Sequence, residues 1–160
     1  MTMLATPILT RPTTSPRLEL GPESGDHLSL QVLRRLHARP VDDDAASWLV
    51  CPAHVHVGGF SGDVAITLRV EELHRFGEAL RAVRAGTRRS AVLESVEQWI
   101  DLTVVRDSDG PLTATGHLAD APGTGSRLRF RIGGLDDRAL DGWVEACGSA
   151  VALYAVPARG

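Results

Sequence analysis

The chain has few cysteines, no excess of positive charge and no long apolar run, and each shortage removes a class of protein. Only Cys51 and Cys147 occur in 160 residues. They lie far apart, each inside an apolar pattern, which excludes a small disulfide scaffold and reads as two buried free thiols. Seventeen basic side chains against 20 acidic ones leave a net charge of −3. No global positive field exists to hold nucleic acid or an anionic bilayer, so neither is expected as a partner. No segment reaches transmembrane length, and the N-terminal stretch has no basic region ahead of an apolar run, so neither a membrane anchor nor a signal peptide is expected. The implied location is the cytoplasm.

What is present is ordinary globular material, 43% hydrophobic and 23% charged, in a length typical of one domain. Residues 1–16, rich in threonine and broken by Pro7, Pro12 and Pro16, read as a disordered leader. Residues 17–156 read as a single α+β domain. The expected architecture is a largely antiparallel sheet of about seven to eight strands, with two amphipathic helices covering one face.

The sharpest local signal is a hairpin in which Trp48–Val57 and Phe60–Arg69 flank Gly58 and Gly59, the two glycines supplying the positive φ of a two-residue turn. That loop length fixes the register. Val57 faces Phe60, Val55 Gly62, Ala53 Val64, Cys51 Ile66 and Leu49 Leu68, all on one apolar face. His56 with Ser61, His54 with Asp63, Val50 with Thr67 and Trp48 with Arg69 then share the outer face.

Val70, Leu73, Phe76, Leu80 and Val83 predict a helix over Val70–Ala85, with Glu71 and Glu72 at its positive end and Gly86 as its stop. Residues 90–100 have mixed helix and strand character and are taken as a short strand. Alternation then predicts strands on either side of a 107–111 turn. After the 121–126 loop, Leu128, Phe130 and Ile132 alternate with Arg127, Arg129 and Arg131. Pairing Leu118 with Leu128 sets Gly116 opposite Phe130, whose ring would cover the glycine. Leu140, Trp143, Val144, Cys147, Val151 and Tyr154 mark a last helix over 136–154, capped by Asp136. Upstream, Arg17–Leu20 and 28–36 read as strands and 40–46 as an acidic loop. Sliding Leu73, Phe76 and Ala79 onto Leu140, Trp143 and Ala146 matches two apolar stripes and hints at an internal repeat.

Catalytic templates fail on spacing. Gly59-Phe60-Ser61-Gly62 is a residue short of a nucleophile elbow and sits in a hairpin, not a strand-to-helix turn. Gly123-Thr124-Gly125 precedes a strand and cannot seat phosphate on a helix N-terminus. Asp107-Ser108-Asp109-Gly110 lacks the remaining ligands of a calcium loop. No catalytic residue and no cofactor is expected, and the chain is read as a non-enzyme. His54, His56 and Asp63 form the one constellation with metal-binding chemistry. A solvent-facing cross-strand His/Asp pair is the simpler reading, and no metal is expected there. Cys51 has the wrong parity to join them. The arginines of 127–131 read as a solvated face. Two acidic groups, Asp42, Asp43 and Asp44 in one loop, and Glu94, Glu97 and Asp101 farther along the chain, are the charged residues best placed to meet a basic protein.

The segments Ser47-Trp48-Leu49-Val50, Gly58-Gly59-Phe60-Ser61-Gly62, Leu73-His74-Arg75-Phe76, Leu93-Glu94-Ser95-Val96-Glu97-Gln98-Trp99-Ile100 and Arg127-Leu128-Arg129-Phe130 resemble the WapI-type immunity proteins and related small actinobacterial domains, over roughly residues 18–153. The resemblance implies a cytoplasmic antidote that binds the toxic domain of a polymorphic secreted toxin. It carries over no catalytic residue. Two other readings stand beside it: a metal- or small-ligand-binding protein using the outer hairpin face, and a regulatory or structural homodimer formed through an exposed sheet face or edge.

Overall fold

The computed structural model describes residues 15–108, 110–123 and 125–155. Of the expected leader, residues 1–16, only Ser15 and Pro16 fall within them; Pro16 is buried and its carbonyl accepts from the Val32 N–H at 2.8 Å. Among the described residues the order is β1 (Arg17–Leu20), β2 (His27–Gln31), β3 (Arg34–Arg35), α1 (Asp43–Ser47), β4 (Trp48–Val57), β5 (Phe60–Arg69), α2 (Val70–Ala85), β6 (Ser90–Glu94), β7 (Ile100–Arg106), β8 (Leu112–Ala119), β9 (Arg127–Leu135) and α3 (Asp137–Tyr154).

The class is α+β and every strand pairing is antiparallel, but the nine strands divide into two sheets. In the first, β5 takes one whole edge of β4, while β2 and β3 share the other and β1 lies outside β2. β2 and β3 replace the single strand expected over 28–36. The break falls where Val32 turns to bond Pro16 and Leu33 donates to the Val50 carbonyl at 3.0 Å. The second sheet is the meander β6-β7-β8-β9.

The β4–β5 register is the one the two-residue loop dictates, pair for pair from Val57↔Phe60 to Trp48↔Arg69. Only Gly58 takes a positive φ, 58°, as the first central residue of a type II′ turn does. Leu118↔Leu128 and Gly116↔Phe130 also pair as expected. Gly116 has a further reason to be glycine: an added Cβ would overlap the backbone carbonyl of Asp101. The expected strand over 90–100 is β6 followed by a tight turn, in which Gln98 takes φ 63° and its N–H donates to the Ser95 carbonyl at 2.9 Å.

Residues 40–46 are not simply a loop. Asp42 holds extended backbone and its carboxylate accepts from the Ala45 N–H at 2.8 Å, capping α1. Sequence alone favours a loop there because a five-residue helix has too few apolar positions to show a period.

Each sheet is followed by its long helix, and a shift of 67 residues carries Phe60 and Val70, the starts of β5 and α2, onto Arg127 and Asp137, the starts of β9 and α3. With two sheets in place of one, the two long helices link them. α2 lies beside β6, while α3 lies against β1, where Trp143 Nε1 donates to the Glu19 carbonyl at 2.7 Å. They pack on each other at Gly77, where a Cβ would sit 2.9 Å from that of Cys147. Leu18, Leu30, Leu49 and Ile66 of the first sheet, Phe76 and Leu80 of α2, Leu93, Val104 and Ile132 of the second sheet and Trp143 of α3 form one continuous core. Both cysteines lie in it as free thiols.

Candidate functional site

The fold brings the two acidic groups to opposite sides of one strand end. On β5, Thr67 and Arg69 share the outer face. Asp44 pairs with Arg69 from the α1 side, and Glu71 Oε2 lies 3.6 Å from Arg69 Nε. The Arg69 guanidinium also lies 5.2 Å from the Trp48 ring centroid, the contact expected from their register. From the other side, Glu97 Oε2 accepts from Thr67 Oγ1 and from Trp99 Nε1, both at 3.0 Å. Asp42, Asp43 and Asp44 are exposed, as are Glu94, Glu97 and Asp101.

Two of these carboxylates stand out by position. Glu94 and Asp101 are direct cross-strand partners in β6 and β7, and among the described residues neither has a hydrogen-bond or ionic partner. Side chains so placed start from Cβ atoms about 5 Å apart, so both carboxylates rise from one spot on the sheet. A cationic side chain of a partner set between them would meet both charges.

The turn carrying Glu97 is held by a residue that sequence reading treated only as a helix-dipole partner. Glu72, 7% exposed, accepts from the Arg69 N–H at 3.1 Å and from the Val96 N–H at 3.0 Å. One oxygen thus caps α2 while the other fastens the β6–β7 turn to it. Burial holds the Glu72 carboxyl above the usual carboxylate range, against the opposing pull of those two N–H groups and of Arg69. Glutamate three residues past Arg69, at the third helical position, was the available signal.

On the outer face of the first sheet, His54 Nδ1 lies 2.7 Å from Asp63 Oδ1, as the register requires. His56 stands across from Ser61 on one side and from His27 on the other. His27 was missed because the β2–β4 pairing is non-local, although the inward parity of Leu28 and Leu30 already turns it outward. Cys51 is fully buried, its thiol pushed up to about 12 chiefly by burial, and faces away from these rings. Among the described residues no group of three His, Cys, Asp or Glu side chains is arranged to hold a metal ion.

The model of the WapI-like immunity protein family matches residues 19–155, most of the chain. This chain belongs to the WapI-like immunity protein family. Membership supports a protein-binding, immunity role at the level of the family. A search of curated proteins finds no match for this WapI-like chain. Among solved structures it is similar to a chain of the Trypanosoma brucei MRP1/MRP2 crystal structures, at TM-score 0.51 and 13% identity, covering 91% of this chain and 88% of that one. At that identity the likeness is one of fold alone. No helix among the described residues is long and apolar enough to cross a membrane.

Proposed function

We propose that this WapI-like protein is a non-enzymatic immunity protein that neutralises a toxin domain by occlusion, and that its contact surface is the acidic face around the end of β5. The observation that carries the reading is the facing pair Glu94 and Asp101, two exposed carboxylates with no hydrogen-bond or ionic partner among the described residues. With Glu97 in the adjoining turn, and Asp42, Asp43 and Asp44 across the end of β5, they complement basic groups of a toxin's active or substrate-binding surface. Such complementarity raises the association rate and selects the partner. Occlusion demands a surface that keeps its shape. Here that requirement is met by Glu72, Thr67 and Trp99, which tie the β6–β7 turn to α2 and β5.

The test is capture from the native host with tagged protein, using wild type and the double variant Glu94→Lys, Asp101→Lys. One stoichiometric protein partner is expected with wild type, held less tightly as salt is raised and lost with the double variant. No partner, or equal capture by both forms, would sink the assignment of this face.

A further inference from the structure

We propose that the outer face of the first sheet binds a divalent transition-metal ion through Nε2 of His27 and His54, with water completing its coordination. The two rings sit on adjacent strands, and each has its Nδ1 occupied. His27 Nδ1 lies 2.8 Å from the Gly25 carbonyl oxygen and His54 Nδ1 2.7 Å from Asp63 Oδ1. A carbonyl and a carboxylate only accept, so both Nδ1 atoms carry the proton and, in the neutral ring, each Nε2 keeps an open lone pair. A metal-binding imidazole has this arrangement, its second nitrogen donating to a carbonyl or carboxylate that fixes tautomer and ring direction.

The spacing fits as well. An ion about 2.0–2.1 Å from Nε2 lies about 3.2 Å from the ring centroid, so two rings on one tetrahedral ion have centroids about 5.2 Å apart. The His27 and His54 centroids are 5.3 Å apart, and His56, on the same strand as His54, stands 5.8 Å from His27. Glu19 and Glu23 line the same depression, with Arg17 paired to Glu19 at 3.2 Å. Because no three side chains among the described residues enclose an ion, the two histidines hold it from one side. Imidazole donors with water select Zn²⁺, Ni²⁺ or Cu²⁺ over Mg²⁺ and Ca²⁺, and the tetrahedral spacing suits Zn²⁺. Asp63 and Thr67 are four residues apart on β5, about 13 Å, so this site is separate from the acidic face.

The experiment is calorimetric titration of the untagged full chain with Cu²⁺ and Zn²⁺, together with electron paramagnetic resonance of the Cu²⁺ form. One site per chain is expected for each ion, with hyperfine structure from two nitrogens in the Cu²⁺ form. His27→Ala and His54→Ala should each weaken binding at least about ten-fold. Asp63→Asn, which leaves both ligands in place, should also weaken it about ten-fold by loosening the His54 ring. His117→Ala, in the other sheet, should change nothing. Circular dichroism establishes that each variant is folded. Absence of binding with metal in large excess overturns the proposal, as does wild-type affinity in both the His27 and His54 variants.

Discussion

Removing the Glu72 carboxylate should loosen the acidic face before it threatens the fold. Glu72→Ala deletes two hydrogen bonds at once. Loss of the α2 cap costs about 1 kcal/mol. Stranding the Val96 N–H costs a further 1 kcal/mol or so, the low end of the usual range, because the Val96 side chain is 67% exposed and water can reach this turn. The total is about 2 kcal/mol, a visible shift in a urea unfolding midpoint. Glu72→Gln keeps a single oxygen acceptor, so it should cost about half as much.

The pH dependence follows from the raised carboxyl of Glu72. A folded-state pKa above the unfolded value means that the folded protein holds the proton longer, so this group's contribution is greatest below the unfolded pKa and falls as pH rises through the folded one. Glutamine does not titrate. The stability gap between wild type and Glu72→Gln should therefore be wider at pH 4 than at pH 7. Amide hydrogen exchange should show Val96 losing protection in both variants while the β4–β5 amides keep theirs. A Glu72→Ala cost below about 0.5 kcal/mol, within the range of an ordinary surface change, or a gap that widens with pH, would refute the reasoning.

Two further outcomes follow from the packing. Gly116→Ala should destabilise by about 3 kcal/mol or more in urea unfolding, since its Cβ meets the rigid Asp101 backbone and no side chain can yield; a cost under 1 kcal/mol would mean that β7 and β8 separate easily. Cys51 and Cys147 are buried with thiols pushed up to about 12, so Ellman's reagent at pH 8 should react with neither until denaturant unfolds the chain, then with both.

Local signals carried most of the secondary structure. A two-residue glycine loop permits one register, and the alternation from Leu49 to Val57 admits one inward face, so the β4–β5 hairpin could be written down residue by residue. The same holds for α2, marked by its apolar stripe and by Gly86, which takes φ 81°. Division of the strands into two sheets was not legible. Nothing local distinguishes the continuation of one sheet from the start of another, and the bridging of the sheets by α2 and α3 depends on non-local contacts at Gly77 and Cys147. The repeat hinted at by Leu73, Phe76 and Ala79 matching Leu140, Trp143 and Ala146 corresponds to a real repetition of sheet then helix.

The candidate site divides along the same line. The His54–Asp63 contact is a consequence of register, and so was readable. The meeting of Asp44 with Arg69, of Glu97 with Thr67 and of His27 with His54 requires segments far apart in sequence to be placed against each other. The residues of both acidic groups could be named from sequence, but not the fact that one strand end joins them.

The most direct test of the central claim is protection of growth. The captured partner's toxic domain is expressed in a surrogate bacterial host with wild-type protein, with the Glu94→Lys, Asp101→Lys variant, or with neither. Growth restored by wild type and not by the variant, both folded and equally abundant, is the predicted result. Equal protection by the two forms would contradict the assigned face, and failure of the wild type to protect would contradict the immunity function itself.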